Sequence, residues 1–156
     1  MSFTIRPATT DDGEPILALM PRLAAFDLPD SRNPVDLWQS DADMFRRWLN
    51  GAEAECLVQV AVDESHKVLG FAMTSLRPEL LSHEPSAHLE AIAVDESAEG
   101  QGVGKALLIA AEEDARAHGA LTMTLHVFAV NDRARAMYER AGYDGELMRY
   151  IKALGD

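Results

Sequence analysis

Three glycines alternate at positions 100, 102 and 104, directly after the apolar run His88-Leu-Glu-Ala-Ile-Ala-Val94 and an acidic turn, and directly before Lys105-Ala-Leu-Leu108. Glycine lacks Cβ, so a ligand can approach the backbone closely, and the NH groups at a helix start have no intrahelical acceptor. An apolar strand, a turn and glycines at the mouth of a helix therefore make an anion site, and phosphate is the chemistry such a site serves.

Two well-known phosphate motifs do not fit. The dinucleotide pattern G-x-G-x-x-G needs glycine at 105 or at 107, where the chain has Lys105 and Leu107. The phosphate loop G-x-x-x-x-G-K-[ST] needs glycine at 99 and a hydroxyl at 106, where the chain has Glu99 and Ala106. What remains is an anion site with no hydroxyl for magnesium. That favours a phosphate carrier, such as coenzyme A, over a nucleotide to be hydrolysed.

The elements that must position this turn follow from periodicity. Residues 3–7 alternate as an edge strand and stop at Pro7. Thr10-Asp-Asp supplies cap-like residues ahead of Ile16, Leu17, Met20, Leu23 and Ala24, spaced as an amphipathic helix. A Pro-bounded loop at 27–34 leads to a second helical region in two pieces, ending near Asn50-Gly51. Residues 55–62 and 68–76 predict a hairpin, and 77–86 a loop into the strand 88–94. A helix then carries Leu107, Leu108, Ala111 and Ala115 on one face and ends at His118-Gly119. A strand at 121–128, a helix over 131–140 and a last strand at 146–153 complete the order, with a further short strand possible around Tyr143. This predicts one α/β domain over residues 1–156, a mixed central β-sheet flanked by helices.

The run Val94 to Gly104 followed by Lys-Ala-Leu-Leu resembles the acyl-CoA motif of the GNAT superfamily of N-acetyltransferases, [Q/R]-x-x-G-x-[G/A], with Glu99 at the first position. Residues 125–143, with Asn131, Ala134, Tyr138 and Gly142-Tyr143, resemble the superfamily's second motif. The resemblance implies an acetyl-CoA-dependent enzyme. In it the backbone of Ile92, Ala93 and Val94 binds the pantetheine arm, the Ile92 NH region receives the acetyl carbonyl, and Glu99, Gly100, Gln101, Gly102, Val103, Gly104 and Lys105 receive the pyrophosphate. It also implies that Tyr138 protonates the departing thiolate, although by spacing alone Tyr138 reads as a core residue. Asn131 reads as a helix N-cap, and the resemblance places it near the pantetheine arm as well.

Glu99 stands where a basic residue would add a charge-assisted contact, so its carboxylate is expected to repel a phosphate and weaken coenzyme affinity unless it points outward. An ammonium acceptor must lose a proton before it attacks. His88 and Glu90, two apart on a strand and so on one face, are the candidate bases; the alternative is that both are polar residues at the sheet end. Their strand resembles His-Leu-His-Val-Leu-Ala-Val of the serotonin N-acetyltransferase branch, with Glu90 in place of the second histidine. Asp27, Asp30, Asp36 and Glu84 could recognise a cation near the loops at 27–36 and 77–86 or are simply solvated. Cys56 reads as core, His126 as facing the gap between strands without a partner, and no histidine has metal-ligand spacing, so no metal is expected.

The chain carries 26 Asp plus Glu against 14 Lys plus Arg, a net charge of −12. That balance argues against nucleic acid as the main partner. No run of eighteen apolar residues and no charged-then-apolar leader is present, so no membrane partner is expected, and with one cysteine a cytoplasmic location is. The reading is an N-acetyltransferase that moves the acetyl group of acetyl-CoA to a primary amine of a small molecule by direct attack in a ternary complex, with a homodimer possible. The alternatives are an acetyltransferase of protein N-terminal or lysine amino groups, and a non-catalytic acyl-CoA-binding module.

Overall fold

A computed structural model describes residues 2–155. The chain divides into two compact units, one running to His126 and the other beginning at Val127. The first holds a five-stranded sheet in the order β1-β2-β3-β4-β5. Its strands are β1 (Phe3–Pro7), β2 (Cys56–Asp63), β3 (Val68–Pro78), β4 (Pro85–Val94) and β5 (Thr122–Leu125). The first four pair antiparallel in sequence, and β5 joins β4 in parallel. A hairpin of β2 and β3 forms, as two β-rich runs across a short polar turn predict. Asp63 fixes the turn, its Oδ1 accepting from the Ser65 and Lys67 amides at 2.9 Å.

The two faces of the sheet bury against different helices. Val58, Val60, Phe71, Met73, Ala91 and Ala93 join Ile16 and Met20 at the N-terminal helical segment and Phe45 in one core cluster. That segment is α1 (Gly13–Leu19) continuing as a 3-10 turn (Met20–Ala24), and Phe45 lies on α2 (Gln39–Leu49). Gln59, of opposite parity to Val58 and Val60, instead donates to Asp114 of α3 (Val103–Ala117) at 2.6 Å. Leu107, Leu108 and Ala111 of α3 are fully buried on that second face. Each buried leucine there stabilises the fold by about 1.5–3 kcal/mol. The second helical region does come in two pieces, a 3-10 turn at Pro34–Leu37 and then α2.

Three expected boundaries are corrected. The loop expected at 77–86 shrinks to six residues, because β3 and β4 stay paired out to Pro78 opposite Pro85. The strand expected at 121–128 stops at Leu125. In the second unit, α4 (Asp132–Arg140) forms as predicted, but neither the strand expected at 146–153 nor one around Tyr143 does. Leu147, Met148, Tyr150, Ile151 and Leu154 are exposed instead. Apolar, β-prone residues make a strand only where a neighbouring strand supplies the ladder and a face to bury against.

Candidate active site

The ladder between β4 and β5 covers only Ser86 to Leu89, opposite Thr122 to Leu125. From Ala91 to Val94, β4 pairs with β3 alone. The Asp95 amide donates to the Leu69 carbonyl at 2.7 Å, so strand alternation turns the polar backbone groups of residues 93 and 95 toward β3 and those of 92 and 94 outward. Donors and acceptors of Ile92 and Val94 thus line an open sheet edge. Of the three residues at which a backbone site for an amide-bearing arm was expected, Ile92 and Val94 face outward, and Ala93, bonded to β3, does not.

At the end of that edge Asp95 caps a short 3-10 turn (Glu96–Ala98), accepting from the Ser97 amide at 3.1 Å. Glycines 100 and 102 follow with φ of 74° and 82°, the left-handed region that glycine enters without penalty. A Cβ on either would meet nothing within 4 Å, so the space beside the turn is open. Gly102 is the N-cap of α3, whose first NH groups, from Val103, Gly104 and Lys105, have no preceding turn to donate to. The residues present fit a phosphate-bearing arm that starts at the glycine turn and runs along the outward edge of β4.

Glu99 is not left alone beside this turn. Its carboxylate is ion-paired to Arg22, whose Nε also donates to the Val94 carbonyl at 3.2 Å. The repulsion expected of a lone Glu99 is therefore offset by a cation. Arg22 lies 77 residues away on the 3-10 turn after α1, and nothing in its local sequence marks it.

Strand alternation alone does not set where His88 and Glu90 sit. Met73 opposes Ala91 while Thr74 opposes Leu89, so Glu90 is the extra residue of a β-bulge. Both residues face Arg77 of β3: its Nη1 lies 3.5 Å from Glu90 Oε1, and its charge acts on His88. His88 is buried, with Nδ1 2.7 Å from the Thr124 hydroxyl and its ring edge-on to His126 at 4.8 Å. Burial, then the charges of Arg77 and His126, push its pKa down to about 4. The imidazole is neutral at pH 7. His126, for which the sequence offered no partner, finds it here.

Beside Glu90 lies Asp41, on the first turn of α2, which sequence reasoning missed. Burial and then the Glu90 charge push its carboxyl up to about 7. Glu90 Oε1 is itself buried and accepts no hydrogen bond. Cys56 is buried and its thiol pushed up to about 12, which agrees with a core role.

In the second unit, Asn131 caps α4, its Oδ1 accepting from the Ala134 amide at 3.3 Å. Tyr138 stacks edge-on against Tyr143 with ring centres 6.0 Å apart. Burial pushes its hydroxyl up to about 12, so the phenol keeps its proton at neutral pH. Among the described residues no three His, Cys, Asp or Glu side chains converge as metal ligands. Nor is any helix there long and apolar enough to cross a membrane.

The fold is that of an acetyltransferase. It resembles a putative acetyl transferase from Pyrococcus furiosus with a TM-score of 0.80 at 24% identity, over 98% of this chain and 100% of that one. Residues 20–143 match the acetyltransferase (GNAT) family, and the chain belongs to it. The mycothiol acetyltransferase of Propionibacterium freudenreichii is 38% identical over 84 residues, 54% of this chain and 26% of that protein. That of Renibacterium salmoninarum is 29% identical over 120 residues, 77% of this chain and 34% of that protein. The chain thus spans about a quarter to a third of the length of these curated relatives.

Proposed function

We infer that this protein is an acetyl-CoA-dependent N-acetyltransferase that acetylates a primary amine of a small molecule by direct attack in a ternary complex. The observation that carries the reading is the one-sided edge of β4 from Ala91 to Val94, which runs into a glycine turn with open space beside it. Relatives named for mycothiol, and not for a protein, support a small-molecule acceptor. The family match from residue 20 to 143 spans both compact units and supports treating the chain as one domain.

Acetyl-CoA would supply the thioester carbonyl and the sulfur leaving group. The outward backbone groups of Ile92 and Val94, on either side of Ala93, hold the pantetheine arm, and the outward NH of Ile92 is a preorganised donor for the developing negative oxygen. Gly100, Gln101, Gly102, Val103, Gly104 and Lys105 receive the phosphates through the turn and the start of α3. Asn131, the N-cap of α4, is assigned to the arm by the family resemblance alone. Of the two candidate bases Glu90 is the one whose buried Oε1 accepts no hydrogen bond, whereas His88 is engaged with Thr124 and its pKa is held low by burial. Tyr138, whose phenol burial pushes up to about 12 and so keeps its proton at neutral pH, is the residue the family resemblance assigns to protonating the departing sulfur.

The test is release of free CoA from acetyl-CoA with a panel of small amines beside a panel of N-terminal and lysine peptides. Turnover with the amines supports the reading. Turnover with peptides alone moves it to a protein acetyltransferase, and binding of acetyl-CoA without release for any acceptor moves it to a binding module. In the active assay Tyr138→Phe should lower kcat by about 10- to 100-fold with acetyl-CoA affinity unchanged.

A further inference from the structure

The unexplained residue at the coenzyme turn is Arg22. Its guanidinium spans two acceptors of the same site, the outward carbonyl of Val94 and the carboxylate of Glu99. Both lie where the arm and its phosphates would pass. An arginine held by Nε on one side and one Nη on the other still has donors to spare, since a guanidinium carries five N–H groups in a fixed fork. The Arg22 side chain remains 27% exposed, so the guanidinium is not sealed in the core. Glu99 occupies the position at which the family motif carries an amide or a base, and a carboxylate there opposes a phosphate unless a cation stands with it.

We propose that Arg22 is a coenzyme-binding residue of this protein, a cation brought from the turn after α1 to the phosphate site and oriented there by Glu99 and the Val94 carbonyl. The inference rests on the acetyl-CoA reading above. In this arrangement the positive charge lost at position 99 is supplied from another element. The carboxylate that replaced it serves as the anchor that holds the guanidinium. Arg22 also lies near Asp95, and Lys67 reaches Asp95 at 3.8 Å, so Asp95 and Glu99 each face a base before any phosphate arrives.

The experiment compares affinity for CoA, which has the phosphates, with affinity for pantetheine, which lacks them, by calorimetry at low and high salt. Arg22→Ala is expected to weaken CoA roughly tenfold or more at low salt, less at high salt, and to leave pantetheine within about twofold. Arg22→Lys, which keeps the charge but not the fork, should fall between the two and guards against loss of folding in the alanine variant. Adding Glu99→Gln to Arg22→Ala should recover part of the lost CoA affinity, because it removes the uncompensated carboxylate. Unchanged CoA affinity in Arg22→Ala overturns the inference. So does equal weakening of CoA and pantetheine, which would make Arg22 a structural tie alone. A wild-type protein that binds neither compound overturns the coenzyme reading and this inference with it.

Discussion

Asp41 and His88 flank Glu90 and are perturbed by the same burial in opposite senses. Each is pushed toward its neutral form, as desolvation demands, but one is an acid and the other a base. His88, lowered to about 4 from an ordinary 6.5, contributes stability that is fully present above pH 6.5 and is lost as pH falls toward 4. Asp41, raised to about 7 from 3.8, contributes stability present below pH 3.8 that is lost as pH rises toward 7. Between about pH 4 and 6.5 the two slopes oppose each other, each at most about 1.4 kcal/mol per pH unit. Asp41→Asn should therefore make stability, followed as the urea midpoint, rise more steeply with pH through this window. His88→Gln should make it fall. If both variants track the wild type at every pH, the two side chains titrate normally.

Two glycines, one in a strand and one at a helix mouth, test how the elements build the site. A methyl on Gly102 would meet no neighbour, so the cost of Gly102→Ala is the left-handed backbone itself, about 1–2 kcal/mol. It should also weaken CoA, since the new Cβ stands in the space beside the turn. Gly70 differs. A Cβ there would lie 2.8 Å from the Ala93 carbonyl oxygen and 3.0 Å from Leu107, at the layer between β3, β4 and α3. Neither neighbour is a free-swinging chain end, so Gly70→Ala should destabilise by about 1–3 kcal/mol, read by chemical denaturation. An unaltered midpoint would mean that β4 shifts at no cost, and coenzyme affinity should then be lost instead. The elements themselves were largely legible: β-rich apolar runs across a short polar turn mark β2 and β3, a three-and-four spacing marks α3, and Gly51 and Gly119 follow the helices they end. The tail at 146–153 was not, because its apolar pattern says what would be buried and not against what.

At the scale of the molecule, the net charge of −12 sets up a field that draws cations in and holds anions off. A cationic amine acceptor should therefore show kcat/KM falling as ionic strength rises, while an uncharged amine of similar size should not. Equal salt dependence for the two would assign the charge to solubility alone. For an anionic coenzyme the same field would be adverse, which is what the cation proposed at the glycine turn would offset. The sequence by itself determined the glycine turn at 100–104, the strand that leads into it, the helix that leaves it, and Asn131 and Tyr138 on their helix. These rest on short-range constraints: the φ that glycine alone enters freely, the period of an apolar face, the cap that ends a helix. Only the tertiary structure decided that Arg22 reaches Glu99, that Asp41 lies beside Glu90, that a bulge carries Glu90, and that His88 is held neutral between Thr124 and His126. Those are meetings of residues far apart in the chain, and no local pattern encodes them, because they exist only once the sheet has been packed between its helices.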